Sequence, residues 1–110
     1  MRVTDMVQKL DLTVFSGHEG LGREVTGGYS SDLLSDVMGH SKAGEVWITI
    51  QTHRNVLAIA SLRELAAVII SNGETPGDDT LAQSNEDGVP VLGTKLTSFE
   101  ISGRLYKLLG

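Results

Sequence analysis

The sequence has no cysteine, and it is poor in proline and aromatic residues, with two prolines, one tryptophan, two tyrosines and two phenylalanines. Without cysteine the chain has no disulfide, thiolate metal site, iron–sulfur ligand or cysteine nucleophile. Basic residues are also few, since nine Lys and Arg against fourteen Asp and Glu give a net charge of −5. This balance argues against nucleic acid or an anionic membrane as a partner, because phosphate binding needs clustered positive charge.

Long apolar runs are absent as well. The clearest uncharged run, Leu65 to Ile70, is far shorter than the roughly twenty residues of a membrane span. The segment from Met1 to Met6 mixes charges and lacks the apolar region of a signal peptide, so we expect a cytoplasmic protein. A chain of 110 residues with 40% hydrophobic and 21% charged residues suits one globular domain over residues 1–110.

From about residue 45 onward, apolar strands alternate with amphipathic helices. The pattern predicts strands at 46–50, 66–70 and 89–92 and helices at 54–65, 78–85 and 97–109. Such alternation favours right-handed crossovers and a parallel sheet with both faces covered. Trp47 is expected in the core or at an interface, and Tyr29, Phe99 and Tyr106 are likewise expected to pack.

The first 44 residues are less regular. They suggest a short helix ending at Leu10, a strand at 12–15, an extended piece at 24–29 and a helix at 32–38 that Gly39 ends. The predicted fold class is therefore α/β, with a small, mostly parallel sheet, crossover helices and an irregular N-terminal third.

A glycine-rich stretch at 16–28 invites comparison with a phosphate-binding loop. Gly22 and Gly27 have the required spacing, but Gly28 and Tyr29 follow where such a loop needs Lys and then Ser or Thr. We interpret the stretch as a turn between strands, with Gly27 and Gly28 allowing close approach of the backbone.

None of the three histidines has another histidine three or four residues away, so no paired metal-ligand motif exists. Asp32, Asp36 and His40 would align on an ideal helix, but Gly39 is expected to end that helix first. We therefore predict no metal site, no cofactor and no catalytic residues, and we interpret Asp32 and Asp36 as the solvated face of a short helix.

The best candidate ligand site follows the predicted strand at 46–50 and opens the next helix. Ligands of open parallel sheets lie at the carboxyl ends of strands, and free N–H groups at a helix start favour anions. Loops after the other two strands should reach the same edge. The candidate ligand-binding residues are Gln51, Thr52, His53, Arg54, Asn55, Asn72, Thr94 and Lys95. The alternative is that Thr52 or His53 caps the helix and Gln51 satisfies nearby backbone groups.

Three segments, at 24–29, 31–38 and 47–53, resemble the small DRTGG domain, and the match is colinear over essentially the whole chain. The motif residues are Thr26, Gly27 and Gly28, followed by Asp32. Glu24 stands where the name-giving Asp would be, and Val25 stands where the Arg would be.

This resemblance implies an α/β domain related to the amino-terminal domain of HPr kinase/phosphorylase. It also implies similarity to stand-alone members and to the accessory domain of regulated inorganic pyrophosphatases with CBS domains. In those settings the domain is not catalytic, often dimerises, and lies next to adenine-nucleotide regulation.

Three hypotheses follow. The first is a non-catalytic regulatory or protein-interaction domain that forms a homodimer. The second is a sensor of an anionic metabolite, such as an adenine nucleotide or a phosphate compound, bound over residues 51–55 and Lys95. The third is a small hydrolase-type enzyme in which His53 or His40 is a general base paired with Asp32 or Asp36.

Overall fold

The computed structural model describes all 110 residues. Its helices are α1 (Val3–Leu10), α2 (Leu34–His40), α3 (Asn55–Leu62), α4 (Asp78–Asp87) and α5 (Ser98–Leu109), with a short 3₁₀ helix at His18–Gly20. Its strands are β1 (Thr13–Ser16), β2 (Gly27–Ser30), β3 (Glu45–Thr49), β4 (Ala67–Ile70) and β5 (Val91–Gly93). None of these helices has the length and apolar character that crossing a membrane would require.

The five strands form one sheet in the order β1-β5-β4-β3-β2. Strands β2 to β5 are parallel, and Trp47 of β3 lies opposite Val68 of β4, which confirms the predicted parallel arrangement. Strand β1 is antiparallel to β5, with Thr13 opposite Gly93. The carboxyl ends of four strands therefore share one edge of the sheet, and β1 and β2 are its two outer strands.

Helices cover both faces of the sheet. Strands β2 to β5 are adjacent in sequence order, so crossovers of one hand place α2, α3 and α4 on the same face. Side chains of β3 alternate accordingly, because Trp47 packs with that helix layer whereas Val46 and Ile48 pack with α1 and α5. Trp47 is fully buried, and its indole N–H donates a 2.8 Å hydrogen bond to the Ser31 carbonyl.

The N-terminal third is more regular than predicted, because the extended piece at 24–29 contributes a full strand, β2. The predicted end of α2 is wrong: the helix continues through Gly39 to His40. Gly39 is exposed, and the helix ends instead where the buried Ser41 donates through both its N–H and its hydroxyl to the Val37 carbonyl, at 3.0 and 2.6 Å.

Helix α3 is shorter than predicted, because it ends at Leu62 rather than at Leu65. Glu64 takes a left-handed conformation with φ of 56°, which turns the chain toward β4. The buried Leu65 then donates its N–H to the Ala60 carbonyl at 2.9 Å. The capping box predicted for α5 is confirmed, with the Glu100 N–H donating to the Thr97 hydroxyl at 3.3 Å.

Candidate functional site

The loops after β2 and β3 are joined at the carboxyl edge of the sheet by Asp32. One of its carboxylate oxygens accepts hydrogen bonds from the Thr49 hydroxyl at 2.8 Å and from the Ile50 N–H at 2.9 Å. Gln51 adds a second link, because its side-chain amide donates to the Asp32 carbonyl at 3.0 Å. Gln51 therefore bonds nearby backbone, as the alternative interpretation proposed, and Asp32 lies before α2 rather than on it.

The next link joins β3 to β4 and then to α5. The buried Ser71 donates its N–H to the Thr49 carbonyl at 3.0 Å. Its hydroxyl shares a 2.6 Å hydrogen bond with the hydroxyl of Ser98, the first residue of α5. The start of α5 is therefore held at the same edge as the strand ends.

Asn72 and Gly73 connect the loop after β4 to the loop after β5. Both residues have positive φ angles, 63° and 68°, and they donate their N–H groups to the carbonyls of Leu96 and Thr94 at 2.7 and 2.9 Å. The Leu96 N–H in turn donates to the Thr94 hydroxyl at 3.2 Å. Lys95 is therefore presented by a loop that is held on both sides.

The remaining candidate residues lie at the start of α3. His53, Arg54 and Asn55 are exposed, and Thr52 accepts a 2.8 Å hydrogen bond from the Thr80 hydroxyl through its carbonyl. Arg54 is the N-cap residue and no side chain caps the helix, so the capping role considered for Thr52 or His53 is not found.

No hydrogen bond connects the segment at 52–55 with Asn72, Thr94 or Lys95. The candidate residues follow three adjacent strands, with residues 51–55 after β3, Asn72 after β4, and Thr94 and Lys95 after β5.

The loop after β5 borders a cavity of about 430 Å³. Thr94 and Lys95 line it together with Asp11, Thr13 and Arg104. Arg104 was missed by the sequence reasoning, since the helix that carries it lies on the opposite side of the sheet from α3. The only available signal was its place beside the buried stripe of α5, next to Leu105.

The continuation of α2 brings Asp36 and His40 together, with 3.1 Å between the Asp36 carboxylate and His40 Nδ1. The Tyr29 hydroxyl also donates to this carboxylate, at 2.9 and 3.0 Å. Hydrogen bonds from the hydroxyls of Ser31 and Tyr29, with His40 adding to them, lower the pKa of Asp36 from its usual value. Burial and the nearby Asp36 charge raise the pKa of Tyr29.

The enzyme hypothesis requires a general base and its carboxylate partner within hydrogen-bond reach of each other in a concave pocket. Asp36 and His40 meet the first condition, but the His40 side chain is 72% exposed and neither residue lines any of four cavities of about 340 to 570 Å³. The other carboxylate considered, Asp32, is engaged with Thr49. No group of three or more His, Asp or Glu side chains is placed to hold a metal ion.

The Thr-Gly-Gly motif lies at the start of β2 and shapes how α5 packs. The Thr26 hydroxyl donates to the Ala43 carbonyl at 3.2 Å, which ties β2 to the turn before β3. A Cβ atom at Gly28 would lie 3.0 Å from a methyl group of Leu105. Gly28 therefore allows α5 to approach the sheet closely, as the interpretation of Gly27 and Gly28 predicted.

The outward face of α5 carries two large aromatic side chains. Phe99 is 89% exposed and Tyr106 is 83% exposed, so neither packs in the core of the chain, and their packing at an interface stays a prediction. They are seven residues apart and share a face, with Ser102 and Gly103 between them. The helical period places both side chains opposite the buried stripe of Ile101, Leu105 and Leu108, but it does not show whether another element covers that side of the helix.

No protein-family model matches the chain, and no curated protein matches it. Among solved structures, it is similar to the crystal structure of the CBS and DRTGG domains of the regulatory region of Clostridium perfringens pyrophosphatase, complexed with its activator diadenosine tetraphosphate. The TM-score is 0.70 at 15% identity, covering 94% of this chain and 45% of that chain.

At this identity the likeness concerns the fold. It supports a DRTGG-like fold for this small α/β protein, which spans less than half of the compared chain. That chain comes from the regulatory region of its enzyme.

Proposed function

We propose that this protein is a non-catalytic regulatory and interaction domain that forms a homodimer through α5 and the adjoining edge of β2. The observation that carries the proposal is the exposed pair of aromatic side chains, Phe99 and Tyr106, on one face of α5. Large apolar side chains grouped on a surface mark interaction sites more often than isolated ones do.

The surface continues from α5 onto an open strand. β2 pairs only with β3, so its outer edge has no strand partner. A groove of about 420 Å³ between β2 and α5 is lined by Gly28, Ser30 and Tyr106 among others. The Ser30 and Ser102 hydroxyls share a 2.6 Å hydrogen bond across this groove. The exposed edge and the aromatic face together form one continuous surface.

The α5 face is self-complementary. If two copies of α5 pack antiparallel about Gly103, Phe99 of one copy meets Tyr106 of the other. The same arrangement brings Glu100 close to Lys107 of the second copy, which pairs opposite charges. Small side chains at 102 and 103 allow the two helices to approach. A twofold contact of this kind uses the same surface on both subunits and closes at a dimer.

Sedimentation velocity over a concentration series tests this proposal. The wild-type protein should form a dimer at high concentration, and the double variant F99S/Y106S should remain a monomer. The matched control is Leu62→Ser on α3, because Leu62 is also a large exposed apolar residue, at 66% exposure, but lies on the other helix layer. A strictly monomeric wild-type protein, or equal effects of both sets of variants, would contradict the proposal.

We propose small-ligand sensing as a second candidate function, in which residues 51–55 and Lys95 contact an anionic metabolite or adenine nucleotide. The favouring observation is that Arg54 is exposed and joins none of the ion pairs of the protein. A ligand that binds the native state raises the unfolding temperature. A thermal-shift screen with nucleotides and phosphates therefore tests it, and the absence of any shift at millimolar ligand would exclude it.

A further inference from the structure

We infer that the cavity between the α1–β1 turn, the loop after β5 and α5 binds a phosphomonoester of a polyol, such as a sugar phosphate or a nucleotide. The inference rests on the sensing proposal and makes it more specific, because it places the ligand beside the loop after β5 and states the chemical class of the ligand. The cavity volume, about 430 Å³, lies within the range of small-molecule sites.

Two cations line this cavity without a partner. Lys95 comes from the loop after β5, and Arg104 comes from the middle of α5. Neither belongs to an ion pair, since the pairs of the protein join Glu24 to the N-terminus and to Arg2, and Asp36 to His40. In a protein of net charge −5, two cations against one carboxylate, that of Asp11, at a single cavity are a local excess of positive charge. Arginine adds a planar fork of donors that matches phosphate oxygens.

The backbone that carries these cations is held in place. Thr94 and Leu96, on either side of Lys95, both accept hydrogen bonds from the turn after β4. Arg104 precedes the buried Leu105, which anchors this part of α5 against the sheet. A site whose supporting backbone is already ordered loses less conformational entropy on binding.

One carboxylate lines the same cavity and narrows the ligand class. Asp11 ends α1 in a left-handed conformation, with φ of 53°. Its charge opposes a bare anion, but its oxygens accept hydrogen bonds from hydroxyl groups. Two hydroxyl-bearing residues, Thr13 and Thr94, also line the cavity. A ligand with a phosphate for Lys95 and Arg104 and hydroxyls for Asp11 satisfies all of these groups.

Amide chemical shifts of the full chain, followed by NMR during titration, test the inference. The probes are inorganic phosphate, ribose 5-phosphate and AMP. We expect saturable shifts at residues 11–13 and 93–96 with the two phosphomonoesters. If ribose 5-phosphate and AMP bind with equal affinity, the site recognises the sugar phosphate alone. Tighter binding of AMP shows that the base also contributes.

Variants distinguish a specific binding site from nonspecific electrostatic attraction of the anionic ligand. Arg104→Gln and Lys95→Gln should each weaken ribose 5-phosphate binding by roughly tenfold or more, a change expected for a lost charge-assisted hydrogen bond. The matched control is Lys107→Gln, because Lys107 is also an exposed cation of α5 but does not line the cavity. Asp11→Asn should tighten inorganic phosphate and weaken ribose 5-phosphate. The urea-unfolding transition of each variant should match that of the wild type, which shows that the fold is retained.

Three outcomes would overturn the inference. One is the absence of saturable shifts with all three probes up to about 10 mM, well above useful affinities for such ligands. Another is an equal loss of binding in Arg104→Gln and Lys107→Gln. The third is a set of shifts confined to residues 51–55, which would support the broader sensing proposal while refuting this site. Dimerisation is measured separately and does not depend on any of these results.

Discussion

Asp32 accepts a 2.8 Å hydrogen bond from the hydroxyl of Thr49, and this contact links the loop after β2 to the end of β3. The same carboxylate oxygen accepts the Ile50 N–H at 2.9 Å. Thr49 is fully buried, and this carboxylate is the acceptor for its hydroxyl. Asp32, a residue of the motif and a candidate metal ligand or catalytic partner in the sequence, therefore has a structural role in this fold.

Asp32→Ala should lower the free energy of unfolding by about 1–3 kcal/mol, since it leaves a buried hydroxyl and a backbone N–H without their acceptor. Asp32→Asn keeps one acceptor oxygen and should lower the free energy of unfolding by less than Asp32→Ala does. Urea unfolding at neutral pH measures both changes. If the alanine variant stays within a few tenths of a kcal/mol of the wild type, water replaces the carboxylate and the structural role is wrong.

Gly28→Val should destabilise the protein by about 1–3 kcal/mol, because a side chain there overlaps the Leu105 methyl group and pushes α5 off the sheet. The matched control is Gly27→Ala, whose new Cβ would meet only the flexible Glu45 side chain, at 3.4 Å. We expect the control to change stability by less than about 1 kcal/mol. Equal losses at the two positions would show that strand backbone, rather than helix packing, requires glycine.

Gly17→Ala should be more harmful than Gly73→Ala, although both glycines have similar positive φ angles, 73° and 68°. A Cβ at Gly17 would lie 2.3 Å from the Val89 carbonyl oxygen, whereas a Cβ at Gly73 meets nothing within 4 Å. Gly73→Ala therefore measures only the free-energy cost of holding a residue with a side chain in the left-handed conformation, about 1–2 kcal/mol. Thermal unfolding of the two variants compares them directly. The proposed clash is refuted if Gly17→Ala is no less stable than Gly73→Ala.

Acidification should destabilise the wild-type protein partly through Asp36. The pKa of this group is lowered by its hydrogen bonds from Ser31 and Tyr29, with His40 adding to them, from an ordinary value of 3.8. A carboxyl with a lowered folded-state pKa stabilises the fold above its unfolded pKa, and this stability is lost as the pH falls through the folded pKa.

Urea unfolding measured from about pH 6 down to about pH 3 should therefore show a shallower acid-dependent loss for Asp36→Asn than for the wild type. Tyr29→Phe removes the hydrogen bond from the tyrosine hydroxyl, so its acid-dependent loss of stability should lie between those of the wild type and Asp36→Asn. Parallel curves for the wild type and Asp36→Asn would contradict the assignment.

Much of the fold follows from local patterns. The apolar runs around Trp47 and Val68 predicted two parallel strands, and Thr97 with Glu100 predicted the start of α5; these predictions are confirmed. These features can be predicted because a strand buried on both faces and a capping box each depend on the residue types of a few consecutive positions.

The candidate site was only partly predictable. The sequence indicated that loops after the parallel strands meet at one edge, and the hydrogen bonds from Ser71 and Asn72 show that they do. It could not show that the Gln51 side chain bonds the Asp32 carbonyl, nor that Arg104 lines a cavity beside Lys95. Those relationships join residues far apart in the chain, and no local pattern encodes them.

By itself, then, the sequence determined the α/β class, the parallel strands and their crossover helices, because burial and capping act over short stretches of chain. Only the tertiary structure decided that β2 completes the sheet, that α2 continues through Gly39 to pair Asp36 with His40, and that Phe99 and Tyr106 remain exposed. The physical reason is that exposure and side-chain contacts depend on which elements pack together, and packing is settled by the whole chain at once.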